Sequence, residues 1–459
     1  MAAAMRRIAA LILGLLAVAP VLRGAGLKAG VARVDITPPP GLPMYGYADR
    51  TQLSTGTLDP LYARVLVLEA GERRWALVTL DLGRVFGPSA LVRLRQSVKE
   101  SSGISFLLIT ASHTHAGPNV LDEYPPGQTP GWETAALNKI SQAVAEATGR
   151  MQEVRLGAGY GRVYIGYNRR RVNPDGTVTM LWQNPARIPT APVDPRVSVL
   201  RLDSADGKPL AILVNYACHP VVFGPDNLRY SADFVGVMCA AVEKSFDNHP
   251  LCLFLQGADG DINPYDATTP LAEDAVKKRD WTGEQLGQEA ARVAAGIRAE
   301  AATQPSLDFA EDKLDVPVRW GAEKFRQGLL EKFGPAVFDD HAGMLKDAPA
   351  RSTLSMAVTT VLLNKQVAFL GMPGEPFVDF QINWRARCPV RDAFLVGYAN
   401  GYYDYIPTIR AATQGGYGAG DSNTYVEPGT GERMVDRGLI RVYEMLGRLH
   451  DLPEELRKQ

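Results

Sequence analysis

Six histidines occur among 459 residues, and two stand one residue apart in 109-ITASHTHAGP-118. An apolar run ends there, with Gly and Pro behind it. Side chains at i and i+2 of an extended segment project to the same side. His113 and His115 are therefore expected to turn both imidazoles toward one site at a strand end. Two nitrogens so placed suit one metal ion; a hydrogen-bonded histidine pair is the plainer alternative. Repetition favours the metal. His219 closes the apolar run 213-LVNYACHP-220, Glu375 closes 367-VAFLGMPGEP-376, and 255-LQGADGDINP-264 brings Asp259 and Asp261 to the same place. Four apolar runs, each ending in a ligand-capable or hydrogen-bonding side chain, imply one shared rim where rigid strands hand over to loops. Two His, one carboxylate and an open position form a catalytic zinc set. Such an ion lowers the pKa of bound water and polarises a carbonyl.

The elements that must hold this rim are legible as apolar runs. The segments 63-ARVLVLEA-70 and 74-RWALVTLDL-82 flank a Gly-Glu-Arg turn, and 197-VSVLRLDS-204 and 209-PLAILVNYA-217 flank Ala-Asp-Gly-Lys; both read as hairpins. Further strands are expected in 104-ISFLLITA-111, 251-LCLFLQG-257 and 357-AVTTVLLNKQVAFLGMP-373. Helices are expected over 231–246, begun by Ser231 as a cap, over 282–302, with Thr282 and Gln285 as a capping box, and over 432–449. Hairpins mixed with strand–helix alternation predict a mixed α/β (α+β) fold, a mixed β-sheet core flanked by helices with the metal site at the strand ends. No internal repeat is visible. The composition, 46% hydrophobic and 22% charged, supports a large core, and a net charge of −1 gives no reason to expect nucleic acid as a partner. The four cysteines show no paired metal spacing and read as buried thiols.

The strings 112-SHTHAGP-118, 29-AGVARVDITPP-39, 78-VTLDLG-83 and 372-MPGEP-376 resemble the catalytic domain of the neutral ceramidases, zinc-dependent amidases that release a fatty acid from sphingosine. The resemblance runs in order from about residue 28 to residue 430. It implies one Zn²⁺ on His113, His219 and Glu375, with Tyr405 of 400-NGYYDYI-406 as the fourth ligand. It places His115 beside the metal to move a proton, Arg169 on polar groups of the substrate, and Tyr417 near the reacting carbonyl. Two departures stand out. Where the family has Ser in Gly-Asp-Val-Ser-Pro, 260-GDINP-264 has Asn263, which can hydrogen bond to an oxyanion but cannot be a nucleophile. The longer ceramidases also carry a C-terminal sandwich domain, for which 451-DLPEELRKQ-459 leaves no room.

Behind His-Thr-His, the Pro/Gly-rich 119-NVLDEYPPGQTPGWETAAL-137 offers Tyr124 and Trp132 as a lid or pocket wall for substrate. Arg6 and Arg7 followed by 8-IAALILGLLAVAPVL-22 and 24-GAG-26 read as a signal peptide over 1–26, so an exported protein (periplasmic or secreted) is expected, with one hydrolase domain over 27–459. The function that follows is hydrolysis of the amide of ceramide or a related N-acyl lipid by water activated at zinc, with a small-molecule or lipid substrate and peripheral membrane contact as the expected partners. Deacylation of an amino sugar or cleavage of an ester is the second reading. A non-catalytic binding protein on the same scaffold is the third. Asp81 and Asp233 are expected to orient the ligand histidines or to hold a second metal.

Overall fold

In the computed structural model, residues 26–124, 127–320, 353–420 and 423–449 are described. The segments read as the body of a signal peptide (1–25) and as the chain's last residues (451–459) lie outside them. Twelve strands form two sheets. The first unit runs β1 (Lys28–Asp35), β2 (Tyr62–Ala70), β3 (Arg73–Leu80), α1 (Pro88–Ser102), β4 (Phe106–Ala111), α2 (Gly131–Gly149). The second runs β5 (Gln152–Arg162), β6 (Arg196–Ser204), β7 (Pro209–Tyr216), α3 (Asp233–Lys244), β8 (Leu251–Gln256), α4 (Ala275–Gly296). The third runs β9 (Leu307–Pro317), β10 (Thr353–Leu363), β11 (Val367–Gly371), α5 (Val378–Arg387), β12 (Asp392–Val396), then α6 (Ile409–Gln414) and α7 (Thr430–Met445).

The three units share one topology. In each, the first three strands pair antiparallel, and a helix crosses over to a fourth strand parallel to the third. The repeat was invisible in the sequence because it lies in strand order and not in residue identity. Units one and two join antiparallel through β1 and β5 into an eight-stranded sheet, β8-β7-β6-β5-β1-β2-β3-β4; unit three makes a four-stranded sheet, β9-β10-β11-β12.

Alternation along the strands builds four layers. Val65, Val67, Val197 and Val199 face α1–α4, while Leu66, Leu68, Leu200 and Leu202 on the same strands face the second sheet through Val361, Leu363, Phe369 and Phe394. Helices α5 and α7 close the other face with Phe380, Trp384, Met434 and Leu439. This is the mixed-sheet core expected, sandwiched between helices.

Three local expectations need correction. The run 357–373 is two strands, because Asn364 and Lys365 both take left-handed backbone (φ 52° and 55°) in the three-residue turn Asn364-Lys365-Gln366 between β10 and β11. Helix α4 begins at Ala275, so Thr282 is interior and donates to the Lys278 carbonyl instead of capping. Helix α3 begins at Asp233 with no side-chain cap; the Ser231 hydroxyl accepts from the Asp233 N–H but also donates to Asp59. Among the described residues no helix is long and apolar enough to cross a membrane.

Candidate metal centre

Each unit sends at least one ligand-capable side chain to the same point. Past β4 the chain leaves extended geometry, and His113 adopts φ 70°. Its N–H donates to the Leu82 carbonyl at 2.9 Å and its ring Nδ1–H to the Gly83 carbonyl at 2.7 Å, which leaves Nε2 with a bare lone pair. His115 does converge on His113, with Nε2 atoms 3.2 Å apart, but the turn at His113 brings this about and not the strand alternation read from the sequence. Left-handed backbone at a non-glycine residue costs about 1–3 kcal/mol and is kept where surroundings enforce it. Past β7, the His219 N–H donates to the Ile262 carbonyl (3.0 Å) and its Nδ1–H to the Asp259 carbonyl (2.7 Å). Past β11, the short strand Glu375–Pro376 runs parallel to Tyr405–Ile406, with Glu375 opposite Tyr405. The Tyr402 hydroxyl donates to Glu375 Oε1 at 2.6 Å, and Oε2 lies 3.6 Å from His113 Nε2 and 3.3 Å from His219 Nε2.

The electrostatics suit a cation. Burial lowers the pKa of His113, lowers that of His219 to about 4, and takes that of His115 well down with help from the two neighbouring imidazoles. Burial works to raise Glu375, but His113, His219 and the Tyr402 hydroxyl outweigh it and hold the carboxyl at about 2. At neutral pH the cluster is therefore three neutral imidazoles and one carboxylate, the protonation state that binds a metal. The ligand atoms of His113, His115 and His219 all lie within 4.8 Å of one another. His219 Nε2 and Glu375 Oε2 are buried and have no hydrogen-bond partner. Two acceptors facing each other at 3.3 Å repel unless a proton or a cation lies between them. A divalent ion fits these residues.

Around the cluster stands a ring of aromatic and charged groups. Tyr398 stacks on the His113 ring (4.4 Å between centroids, 22°) and donates to Asp259 Oδ1 at 2.8 Å. Asp259 Oδ2 lies 3.4 Å from His219 Nδ1. Arg169 is buried, not solvated; it donates to the Tyr405 hydroxyl (2.9 Å), the Gly260 carbonyl (2.6 Å) and Asn263 Oδ1 (3.3 Å). Asn263 thus serves Arg169 with its oxygen, while its Nδ2 reaches the Trp182 carbonyl at 3.4 Å. Tyr417 packs edge-on against Tyr405 and Trp182, and its hydroxyl accepts from Asn423 at 3.1 Å. Gly46, at φ 108°, lies against the His115 ring so closely that a Cβ would stand 2.3 Å from it.

A cavity of about 1020 Å³ opens onto the cluster. His113, His115, Glu375, Tyr405, Arg169, Asn263, Tyr417, Tyr124 and Trp132 all line it; His219 sits beneath and is fully buried. Trp132 also donates to the Ile36 carbonyl and packs against Phe86, so its ring is anchored as part of the wall. The sequence reading missed Tyr398 and Tyr402, whose hydroxyls reach Asp259 and Glu375. A tyrosine in an apolar run carries no sequence signal that separates a packed ring from one that aims its hydroxyl at a site.

Asp81 and Asp233 do not touch the histidines. Asp81 is held in a buried ion pair with Arg64 (2.7 Å), and Asp233 accepts from the Phe223 and Phe234 N–H groups. The main-chain carbonyls of Gly83 and Asp259 orient the imidazoles instead. The four cysteines are free, and three are buried.

Imidazoles and a carboxylate gathered from three repeats beneath an open cavity define a metal-capable site of the kind found in hydrolases. The chain belongs to the neutral/alkaline non-lysosomal ceramidases: the model of that family's N-terminal region matches residues 27–283, which include His113, His115 and His219. Two solved structures share the fold. Neutral ceramidase from Pseudomonas aeruginosa aligns with TM-score 0.72 and 19% identity over 95% of this chain and 77% of its own. A ceramidase complexed with C2 aligns with TM-score 0.74 and 19% identity over 94% of this chain and 77% of its own. Both alignments extend well past the family match, through the third unit that carries Glu375 and Tyr405.

Proposed function

We propose that this chain hydrolyses the amide bond of ceramide or a related N-acyl lipid with one zinc ion held by His113, His219 and Glu375, and with Tyr405 as fourth ligand. The observation that carries the reading is the pair of unpartnered, buried acceptors, His219 Nε2 and Glu375 Oε2, turned toward His113 Nε2 beneath the cavity. Zinc in such a set polarises a carbonyl and makes water a nucleophile near neutral pH. Support for a lipid amide comes from the family.

The chain's own groups divide the remaining work. His115 is partly open to the cavity and neutral at neutral pH. It takes a proton from the attacking water and returns it to the leaving nitrogen. Arg169 holds the Tyr405 hydroxyl and the Asn263 amide in place. Tyr417, oriented by Asn423, faces the oxygen on which charge develops. Asn263 supplies no nucleophile, which is consistent with attack by water and not by a side chain. Tyr124, Trp132 and Met44 give the cavity an apolar flank for an acyl chain. Export follows from the basic and apolar start of the chain.

The substrate class is tested by offering the zinc-loaded protein a short-chain ceramide, N-acetylglucosamine and a simple aryl ester side by side. Preferential release of fatty acid from the ceramide is expected. Turnover of the sugar or ester with none of the ceramide would move the assignment to the second reading.

A further inference from the structure

Glu375 turns one carboxylate oxygen to the histidines and gives the other to a tyrosine. Oε2 faces His113 Nε2 at 3.6 Å and His219 Nε2 at 3.3 Å, while Oε1 accepts from the Tyr402 hydroxyl at 2.6 Å. Behind Tyr402 stands Tyr45, with 2.8 Å between the two hydroxyl oxygens. A phenol has one proton to donate, and a carboxylate can only accept. The Tyr402 proton therefore goes to Glu375, and the Tyr402 oxygen takes its own hydrogen bond from Tyr45. Two O–H groups point the same way along a chain that ends on the carboxylate, and each bond in such a chain polarises the next.

Tyr45 is fixed at both ends. Its N–H donates to the Gly117 carbonyl at 3.0 Å, and its carbonyl accepts from Arg50 Nη1 at 3.1 Å. The same nitrogen donates to the His115 carbonyl at 2.8 Å, so one guanidinium joins the main chain of Tyr45 to that of the imidazole it faces. The Tyr45 ring stands edge-on to both His113 and His115, 5.6 Å from each. It lies so close to Gly83 that a Cβ there would stand 2.1 Å away, and the Gly83 carbonyl is the one that holds His113 Nδ1. Tyr402 is buried, stacked on Tyr398 and covered by the Arg84 guanidinium at 4.7 Å. Tyr45 is half-buried and forms part of the cavity wall, so the chain runs from that wall inward to the carboxylate.

We propose that Tyr45 positions Glu375 for the metal: acting through the Tyr402 hydroxyl, it keeps Oε1 engaged and Oε2 turned toward the two imidazoles. This rests on the reading of the cluster as a metal centre, and it adds a residue that touches neither oxygen of Glu375 itself. A side chain that only filled the wall would need no hydroxyl here, since a phenyl ring occupies the same space. Removing the hydroxyl leaves the ring's contacts with His113, His115 and Gly83 in place.

Tyr45→Phe, Tyr402→Phe and the double variant are compared with wild type in two ways. Zinc affinity is read by competition with a chromogenic chelator. The visible spectrum of the cobalt(II)-loaded protein reads the geometry of the ligands. Urea unfolding of the metal-free proteins separates out effects on the fold. Tyr402→Phe should weaken zinc about tenfold, the lower end for a partner of a metal-bound side chain. Tyr45→Phe should weaken it about two- to threefold, because polarisation by a neighbouring bond is a fraction of the bond itself. Its cobalt bands should shift in the same direction as those of Tyr402→Phe, and by less. In the double variant the Tyr45 change should add nothing, since the link it acts through is gone. Zinc affinity and cobalt bands unchanged in Tyr45→Phe overturn the proposal, whether or not the unfolding midpoint falls. Losses that multiply in the double variant overturn it as well, because Tyr45 would then act by a route of its own. A wild type that takes up neither zinc nor cobalt removes the metal reading and the proposal together, whereas an unchanged Tyr45→Phe beside a metal-binding wild type removes the proposal alone.

Discussion

Replacing Tyr398 with Phe isolates one link between the two ligand histidines. The ring is fully buried and stacked on His113, so a phenyl group keeps the packing and leaves no cavity of consequence. What is lost is the hydroxyl that donates to Asp259 Oδ1 at 2.8 Å. The other carboxyl oxygen, Oδ2, already has no hydrogen-bond partner and is buried. Burial, with the Glu375 charge behind it, holds the Asp259 pKa well above the usual carboxylate range, and the Tyr398 hydroxyl is the side chain that opposes this most. Its removal leaves a buried carboxyl with neither oxygen paired, which costs about 1–3 kcal/mol. The consequence for function runs through the main chain, because the Asp259 carbonyl is what fixes His219 Nδ1 at 2.7 Å. Partners of metal-bound histidines are worth about ten- to a hundredfold in affinity. Tyr398 acts one bond further out, so the lower end, about tenfold, is expected. Zinc affinity of Tyr398→Phe is measured by competition with a chromogenic chelator, and stability by urea unfolding of the metal-free protein. Lower stability with zinc affinity within twofold of wild type would refute the reasoning, since the hydroxyl would then serve the fold and not the placement of His219.

Three further outcomes are expected. Glu375→Gln removes the charge opposite two bare imidazole nitrogens and should weaken zinc by more than the hundredfold typical of an outer partner; elemental analysis after dialysis checks it, and full zinc retention would contradict it. Gly46→Ala drives a Cβ into the His115 ring at a backbone angle that L-residues rarely adopt. Turnover should fall by about 10²–10⁴, the usual share of a general base, with zinc content kept; loss of zinc instead would make His115 a ligand. The pH dependence of zinc affinity follows from the lowered histidine pKa values. Protons compete for an imidazole only near or below its own folded-state pKa, which for His219 is about 4. Affinity should therefore stay nearly flat from pH 8 to 6 and weaken only on further acidification; a steady tenfold loss per unit from pH 7 downward would show ordinary, exposed imidazoles.

The sequence made the cluster legible because each of its members follows an apolar run, and the fold puts the ends of those runs on one rim. His113, His219 and Glu375 were found this way, though they come from three copies of one unit that residue identity does not betray. The hairpins were legible from their turns. The split at Asn364 was not, because a short polar stretch, Asn364-Lys365-Gln366, between apolar runs carries no Gly or Pro to announce a turn. Asp81 misled for a physical reason: a carboxylate after a strand looks alike whether it serves a histidine or, as here, the Arg64 guanidinium on the neighbouring strand. Tyr398 and Tyr402 act through tertiary placement alone, and their loop carries no spacing that announces it.

The account turns on a metal-dependent amide hydrolysis at this cluster. The most direct test follows fatty acid release from a short-chain fluorescent ceramide by the purified protein, first untreated, then stripped with a chelator, then resupplied with zinc. Release that stops on stripping and returns with zinc is the predicted result; no release from the zinc-loaded protein, or release untouched by a chelator that has removed all metal, would contradict it.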